Sequence, residues 1–238
     1  MRNPYFQFKQ FTVFHDLCAM KVGIDGVLLG AWAGTENAKQ ILDIGSGSGL
    51  IALMLAQRNP TALIDAIDIE ESAVQQAGIN IQKSSWKNRI NIQKTSLQNF
   101  AAKADIKYDL IVSNPPFFVD SLKTPSHERT NARHTDMLTH EELILSSKSI
   151  LAQNGKLCII LPVKEGELCK AFAEKSGLSC SKKVVVYSKP NAEAKRLLLE
   201  FDFRSEATEL SELIIESEIR HQYTLEFTEL AKDFYLKL

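Results

Sequence analysis

Cysteine is scarce: Cys18, Cys158, Cys169 and Cys180 are the only four, with no C-x-x-C spacing and no histidine cluster beside them. That argues against a disulfide framework or a Cys/His metal site, and the thiols read as buried or incidental ones in a reducing compartment. Charge of one sign is not in excess either. Lys and Arg number 28 against 29 Asp and Glu, a formal net charge of -1, so any nucleic-acid site must be local. No run of about 18 apolar residues occurs, and the opening MRNPYFQFKQF has no apolar h-region, so neither a membrane span nor a secretory signal is expected and a cytoplasmic protein is. Internal repeats and low-complexity tracts are absent too.

The apolar share is substantial, 45% of 238 residues, which suits one large domain with a full core. From residue 40 onward, β-branched runs alternate with helix-period segments, the pattern of an α/β fold with a parallel sheet and crossover helices. Strands are expected at Gln40–Ile44, Leu63–Ile69, Ile90–Lys94, Tyr108–Ser113, Lys156–Leu161, Ser179–Tyr187 and Lys195–Phe203, and helices at Leu50–Arg58, Glu71–Ser84, Thr139–Gln153 and Lys164–Ser176. Residues 1–39 precede this core of 40–238, and Pro115–Asp136 form a long polar connection of the kind that is either functional or disordered.

Between the first strand and its helix stands ILDIGSGSGLIALMLAQ, with Gly45, Gly47 and Gly49 where backbone must turn tightly or meet a ligand. The spacing is G-x-G-x-G after an acidic Asp43, not the G-x-G-x-x-G that seats a pyrophosphate on a helix N-terminus. A carboxylate there would repel phosphate and welcome an ammonium. S-adenosylmethionine (SAM), an amino-acid end joined to a nucleoside without phosphate, suits this loop. Asp68, nineteen residues after Gly49 at the end of the second strand, can accept from both ribose hydroxyls. Its alternative use is a helix N-terminal carboxylate, a duty for which Glu70 and Glu71 are better candidates. Asp65 is expected to point to the opposite face or the strand's beginning.

The fourth strand ends in SNPPFF, residues 113–118, where an open α/β sheet forms its ligand crevice. Each proline fixes φ and removes an N–H, so Asn114 and the Pro115 carbonyl become two acceptors in one rigid orientation. Their natural guest is an amino group. An exocyclic adenine amine is a poor nucleophile, because its lone pair is delocalised; binding both N–H bonds favours a pyramidal nitrogen with the lone pair free. Phe117 can stack on the base. A plain strand-terminating turn is the alternative for this tetrapeptide by itself.

DIGSGSG, Asp68 and NPPF together resemble class I SAM-dependent methyltransferases acting on amino nitrogens. With FKQFTVFHDLCAMKVGIDGVLLGAWA (residues 8–33), RINI, DLIVSNPPFF and the terminal FYLKL, the chain resembles the bacterial tRNA(1)(Val) (adenine(37)-N6)-methyltransferase family over essentially its whole length. The resemblance implies a Rossmann-like seven-stranded sheet, mostly parallel with an antiparallel C-terminal strand. It also implies SAM as cofactor, tRNA as partner, and a lead segment folded over the cofactor side with Lys21 and Asp25 near its methionine end. For Asp25, capping the GVLLGAW helix fits equally well. One departure stands out: superfamily members often carry an Asp after the third strand against the adenine of SAM, and this chain has Ser96 there.

For RNA, the connection after NPPFF supplies His127, Arg129, Arg133 and His134 as candidate phosphate contacts. Lys182, Lys183, Lys189, Lys195 and Arg196 flank the last two strands and can reach the same side. A monomer without metal is expected. Ribosomal-RNA or DNA amino methylation shares the chemistry. Protein glutamine-N5 methylation does too, although the 42 residues before Asp43 leave little room for the helical domain such enzymes carry. A nicotinamide oxidoreductase or a SAM-binding module without catalysis are the remaining readings.

Overall fold

The computed structural model describes residues 3–18, 21–116, 138–204 and 207–238. Its strands are β1 (Tyr5–Gln7), β2 (Thr12–Phe14), β3 (Gln40–Ile44), β4 (Leu63–Asp68), β5 (Ile90–Lys94), β6 (Tyr108–Ser113), β7 (Leu151–Pro162), β8 (Ser179–Tyr187), β9 (Ala194–Asp202) and β10 (Glu209–Ile214). Its helices are α1 (Ile24–Trp32), α2 (Leu50–Arg58), α3 (Glu71–Gln82), α4 (Leu97–Lys103), α5 (His140–Ile150), α6 (Val163–Lys175) and α7 (Leu225–Ala231).

Eight strands form one sheet in the order β10-β8-β9-β7-β6-β3-β4-β5, and β1 and β2 make a separate antiparallel pair. Strands β5, β4, β3, β6 and β7 run parallel, while β9 lies antiparallel between β7 and β8. These seven are the expected Rossmann-like sheet with its antiparallel C-terminal strand. β10 adds an eighth at the edge, parallel to β8.

The central strands read as continuous apolar runs because helices cover both faces. Alternate residues of β3 go to opposite sides: Ile41 joins Leu28 and Leu29 of α1 and Leu53 and Met54 of α2, whereas Leu42 joins Leu143 and Ile144 of α5. The C-terminal Phe227 and Phe234 close the first of these cores.

Two expected boundaries shift by more than two residues. α5 begins with a capping box, Thr139 and Glu142 each bonding the other's backbone N–H, but stops at Ile150 rather than Gln153, and β7 starts at Leu151. The cause is the irregular start of β7. A Cβ on Gly155 would lie 2.6 Å from the Tyr108 carbonyl oxygen, and the β6–β7 register shifts between Tyr108 and Leu110.

Candidate functional site

The chain runs from β3 outward through β4 to β5, then returns to β6 on the other side of β3, so β3 and β6 flank the point where the winding reverses. In an open α/β sheet that reversal point, beyond the carboxyl ends of the strands, is where a ligand crevice is expected. Ile44 and Ser113 pair at the two tips, and the Ser113 hydroxyl donates to the Ile44 carbonyl at 3.0 Å. Gly45 and Asn114 thus leave adjacent strands side by side.

The glycine turn is held from β4. Gly45 and Ser46 N–H groups donate to the Ile67 carbonyl at 2.9 and 3.0 Å, and the Gly47 N–H donates to Asp68 Oδ2 at 2.8 Å. Three amides that a dinucleotide site would aim at phosphate are therefore already engaged, which disfavours the oxidoreductase reading on geometry as well as spacing. Gly49 has φ +80°, and a Cβ there would meet the Ala77 Cβ of α3 at 3.3 Å. Gly49→Ala is expected to lower stability by about 1–2 kcal/mol from left-handed strain alone, seen as a melting temperature about 2–8 °C lower.

Asp43 is fully buried on β3. Its Oδ2 accepts the Ala52 N–H of the first turn of α2 at 3.1 Å. Gly49, the N-cap of that helix, has no side chain to do so, and the carboxylate also faces the positive end of the helix dipole. Burial pushes the Asp43 carboxyl up to about 7; the Ala52 N–H pulls it down and the nearby Asp68 charge adds to the rise. Asp68 accepts the Gly47 N–H on one oxygen and the Glu70 N–H, at 2.9 Å, on the other. This is a local turn ahead of α3; Glu71 stands in the first turn of the helix, as expected, and pairs with Lys94 at 2.8 Å, while Glu70 is the N-cap residue and makes no side-chain cap bond. Each Asp68 oxygen keeps a second lone pair for a ligand hydroxyl. Asp65 does point elsewhere, accepting from Asn91 at 2.9 Å and Tyr108 at 2.7 Å.

Three buried polar atoms of this region have no hydrogen-bond partner among the described residues: Asp43 Oδ1, Ser46 Oγ and Asn114 Oδ1. Unpaired buried polar atoms are costly and rare in native proteins, and these three, on or next to the adjacent strands β3 and β6, make this end of the sheet the candidate ligand position. Two carboxylates, an orphaned amide oxygen and a glycine turn with open space around the missing Cβ of Gly45 and Gly47 suit a cationic, hydroxyl-bearing nucleoside such as SAM. Pro115 is buried at the strand tip.

Other sequence candidates divide. Phe117, His127, Arg129, Arg133 and His134 lie outside the described residues. Ser96 is the N-cap of α4, its hydroxyl accepting the Asn99 N–H at 3.2 Å, which leaves its proton and one lone pair to offer an adenine. Asp25 does not cap α1: the N-cap is Gly23, and Asp25, inside the first turn, accepts from Arg196 Nε at 2.8 Å. Arg196 of β9, half-buried, is thus tied to α1 through its Nε. Lys21 is exposed ahead of α1. Lys189 pairs with Glu216 at 3.7 Å, Lys182 with Glu209 at 3.6 Å, and Lys183 with Glu167, which dilutes the expected basic footprint. Among the described residues no group of three or more His, Cys, Asp or Glu side chains could hold a metal ion, and no helix is long and apolar enough to cross a membrane.

Sequence reasoning missed Gln76 and Asn80, amides with 1% exposure on α3. The signal was present: they occupy the helical stripe Ala73, Gln76, Ala77, Asn80, Ile81 that periodicity reserves for apolar side chains.

Comparison with known proteins agrees with this geometry. The family model for the methyltransferase small domain matches residues 25–187. The tRNA1(Val) (adenine(37)-N6)-methyltransferase of Parabacteroides distasonis is 53% identical and that of Bacteroides thetaiotaomicron 47%, each over 239 aligned residues and the full length of both chains. Among solved structures, a predicted O-methyltransferase from Agrobacterium tumefaciens superposes with a TM-score of 0.67 at 18% identity, covering 88% of this chain and 96% of its own, a likeness of fold alone. The chain belongs to the tRNA1(Val) (adenine(37)-N6)-methyltransferase family, within the class I methyltransferase fold.

Proposed function

We propose that this protein methylates the exocyclic N6 of adenine 37 in the anticodon loop of tRNA1(Val), with SAM as donor. The observation that carries the reading is the buried Asn114 Oδ1 at the tip of β6, beside the glycine turn and without a hydrogen-bond partner among the described residues. When bound, SAM supplies a methyl group made electrophilic by its sulfonium.

The chain's own residues do the rest. Asp68 holds the ribose hydroxyls, Asp43 faces the cationic end, and Gly45 and Gly47 let the ligand approach the backbone. Asn114 Oδ1 and the Pro115 carbonyl accept the two N–H bonds of the adenine amine and turn its lone pair toward the methyl group. The methylated nitrogen is strongly acidic, so its proton needs no strong base. The base must leave its stack to reach this depth. The β8–β9 hairpin, carrying Lys189 and Lys195, runs past the level of Ser113 by about 10 Å at Arg196, given three further residues along β7 at 3.3 Å each, and provides a surface for the anticodon stem. The protein acts as a single-domain monomer in the cytoplasm, where tRNA is found.

The test is nucleoside mass spectrometry of an unmodified tRNA1(Val) transcript incubated with the protein and SAM. One N6-methyladenosine per molecule, mapped to position 37, is expected. Methylation at another base, or on ribosomal RNA in preference, would assign a different substrate.

A further inference from the structure

Gln76 and Asn80 turn amides from α3 into the protein interior, where each polar atom needs a partner. The Gln76 Oε1 accepts the Leu17 N–H at 2.8 Å. Asn80 does more. Its Oδ1 accepts the Phe14 N–H at 2.9 Å, and its Nδ2 donates to the Phe14 carbonyl and to the Ser48 carbonyl, each at 2.8 Å. One side chain thereby grips both backbone groups of Phe14, as a neighbouring strand would, and spends its remaining N–H on the peptide between Gly47 and Gly49.

The two things joined are distant in sequence and close in function. Phe14 belongs to the N-terminal strap, residues 3–18, whose position is reinforced by the Lys83 ammonium 4.1 Å from the Phe14 ring centre. The strap runs on to Cys18, whose thiol is pushed up to about 11 by burial and by the charges of Asp68 and Asp16, so its end lies near the carboxylate assigned to ribose. Ser48 belongs to the glycine turn. The next residue, Gly49, is already pressed on Ala77, one helical turn before Ile81 on α3.

We propose that Asn80 is a positioning residue of the cofactor site, fixing the glycine turn and the N-terminal strap as one unit so that SAM affinity depends on its amide. This rests on the assignment of the crevice to SAM. Without the amide, the Ser48 carbonyl and both Phe14 backbone groups lose their partner, and the turn and strap are free to move independently.

The test compares Asn80→Ala with Gln76→Ala, which loosens the strap at Leu17 but touches no glycine. Melting temperature, SAM dissociation constant, and kcat and KM for tRNA at saturating SAM are measured for both. Asn80→Ala is expected to weaken SAM binding about tenfold or more, the equivalent of one or two buried hydrogen bonds, with kcat at saturating SAM within about threefold of the parent. Gln76→Ala should change the SAM constant less than about threefold for a comparable loss of melting temperature. Equal SAM binding by parent and Asn80→Ala, or SAM effects that merely track melting temperature in both variants, would overturn the inference while leaving the SAM site standing; a parent protein that fails to bind SAM would instead remove the site itself. Hydrogen exchange on the unmodified protein gives an answer even if Asn80→Ala does not fold. Saturating SAM should slow exchange of the Phe14 and Gly49 amides together, and protection at Gly49 without any at Phe14 contradicts the coupling.

Discussion

Replacing Asn114 with alanine is expected to lower single-turnover methyl transfer to tRNA1(Val) by about 10²–10³-fold or more, the scale seen when one preorganised polar group facing a transition state is removed. The SAM dissociation constant should move less than about threefold, because the proposed contacts to ribose and the cationic end are those of Asp68 and Asp43 on other strands. The fold should survive as well. Asn114 Oδ1 has no partner among the described residues, so truncation breaks no bond of that atom to any of them, and the tip of β6 stays attached to β3 through the Ser113 hydroxyl. A variant retaining a tenth of the parent rate would show that the amide is not an acceptor in the reaction.

Asp43→Asn is expected to separate stability from cofactor binding. Unfolded, this carboxyl ionises near 3.8; folded, burial lifts it to about 7. Between those values the native state holds a proton that the unfolded state has released, so the Asp43 contribution destabilises progressively as pH rises, by up to about 1.4 kcal/mol per pH unit, and levels off above 7. Asp43→Asn carries no such proton. Its melting temperature relative to the parent, both without SAM, should therefore climb from pH 5 to pH 7 and then stay flat. SAM affinity should run the other way. The ionised carboxylate attracts a cation, so parent affinity is expected to tighten by up to about tenfold per pH unit below 7 and to plateau above it, whereas Asp43→Asn binds weakly at every pH. Calorimetric titration at four pH values against thermal melts of both proteins checks the pair of trends. Parallel pH profiles for SAM binding in parent and variant would remove Asp43 from the site.

Much of this arrangement was legible because it rests on local rules. β3, α2, β5 and β6 lie where their apolar runs and flanking turn residues placed them, and Asp43, the three glycines, Asp68 and Asn114 stand at strand ends that the α/β pattern alone locates. What escaped depends on contacts between remote parts of the chain or on elements with little buried stripe. α4 buries only Leu97 and β10 only Leu213 fully, so neither shows a clear period. The Asp25–Arg196 pair spans 171 residues and joins α1 to β9, a link that no local pattern announces. Lys189 reads as basic surface until Glu216 is seen beside it.

The central claim is that one crevice, between the glycine turn after β3 and the Asn114 tip of β6, holds SAM and receives the adenine amine. A crystal structure with S-adenosylhomocysteine measures it most directly. The ligand is expected to lie in this crevice with its ribose hydroxyls on Asp68 and its sulfur on the side open to Asn114 Oδ1. A ligand bound elsewhere, or one whose sulfur is shielded from Asn114 by the glycine turn, would contradict it.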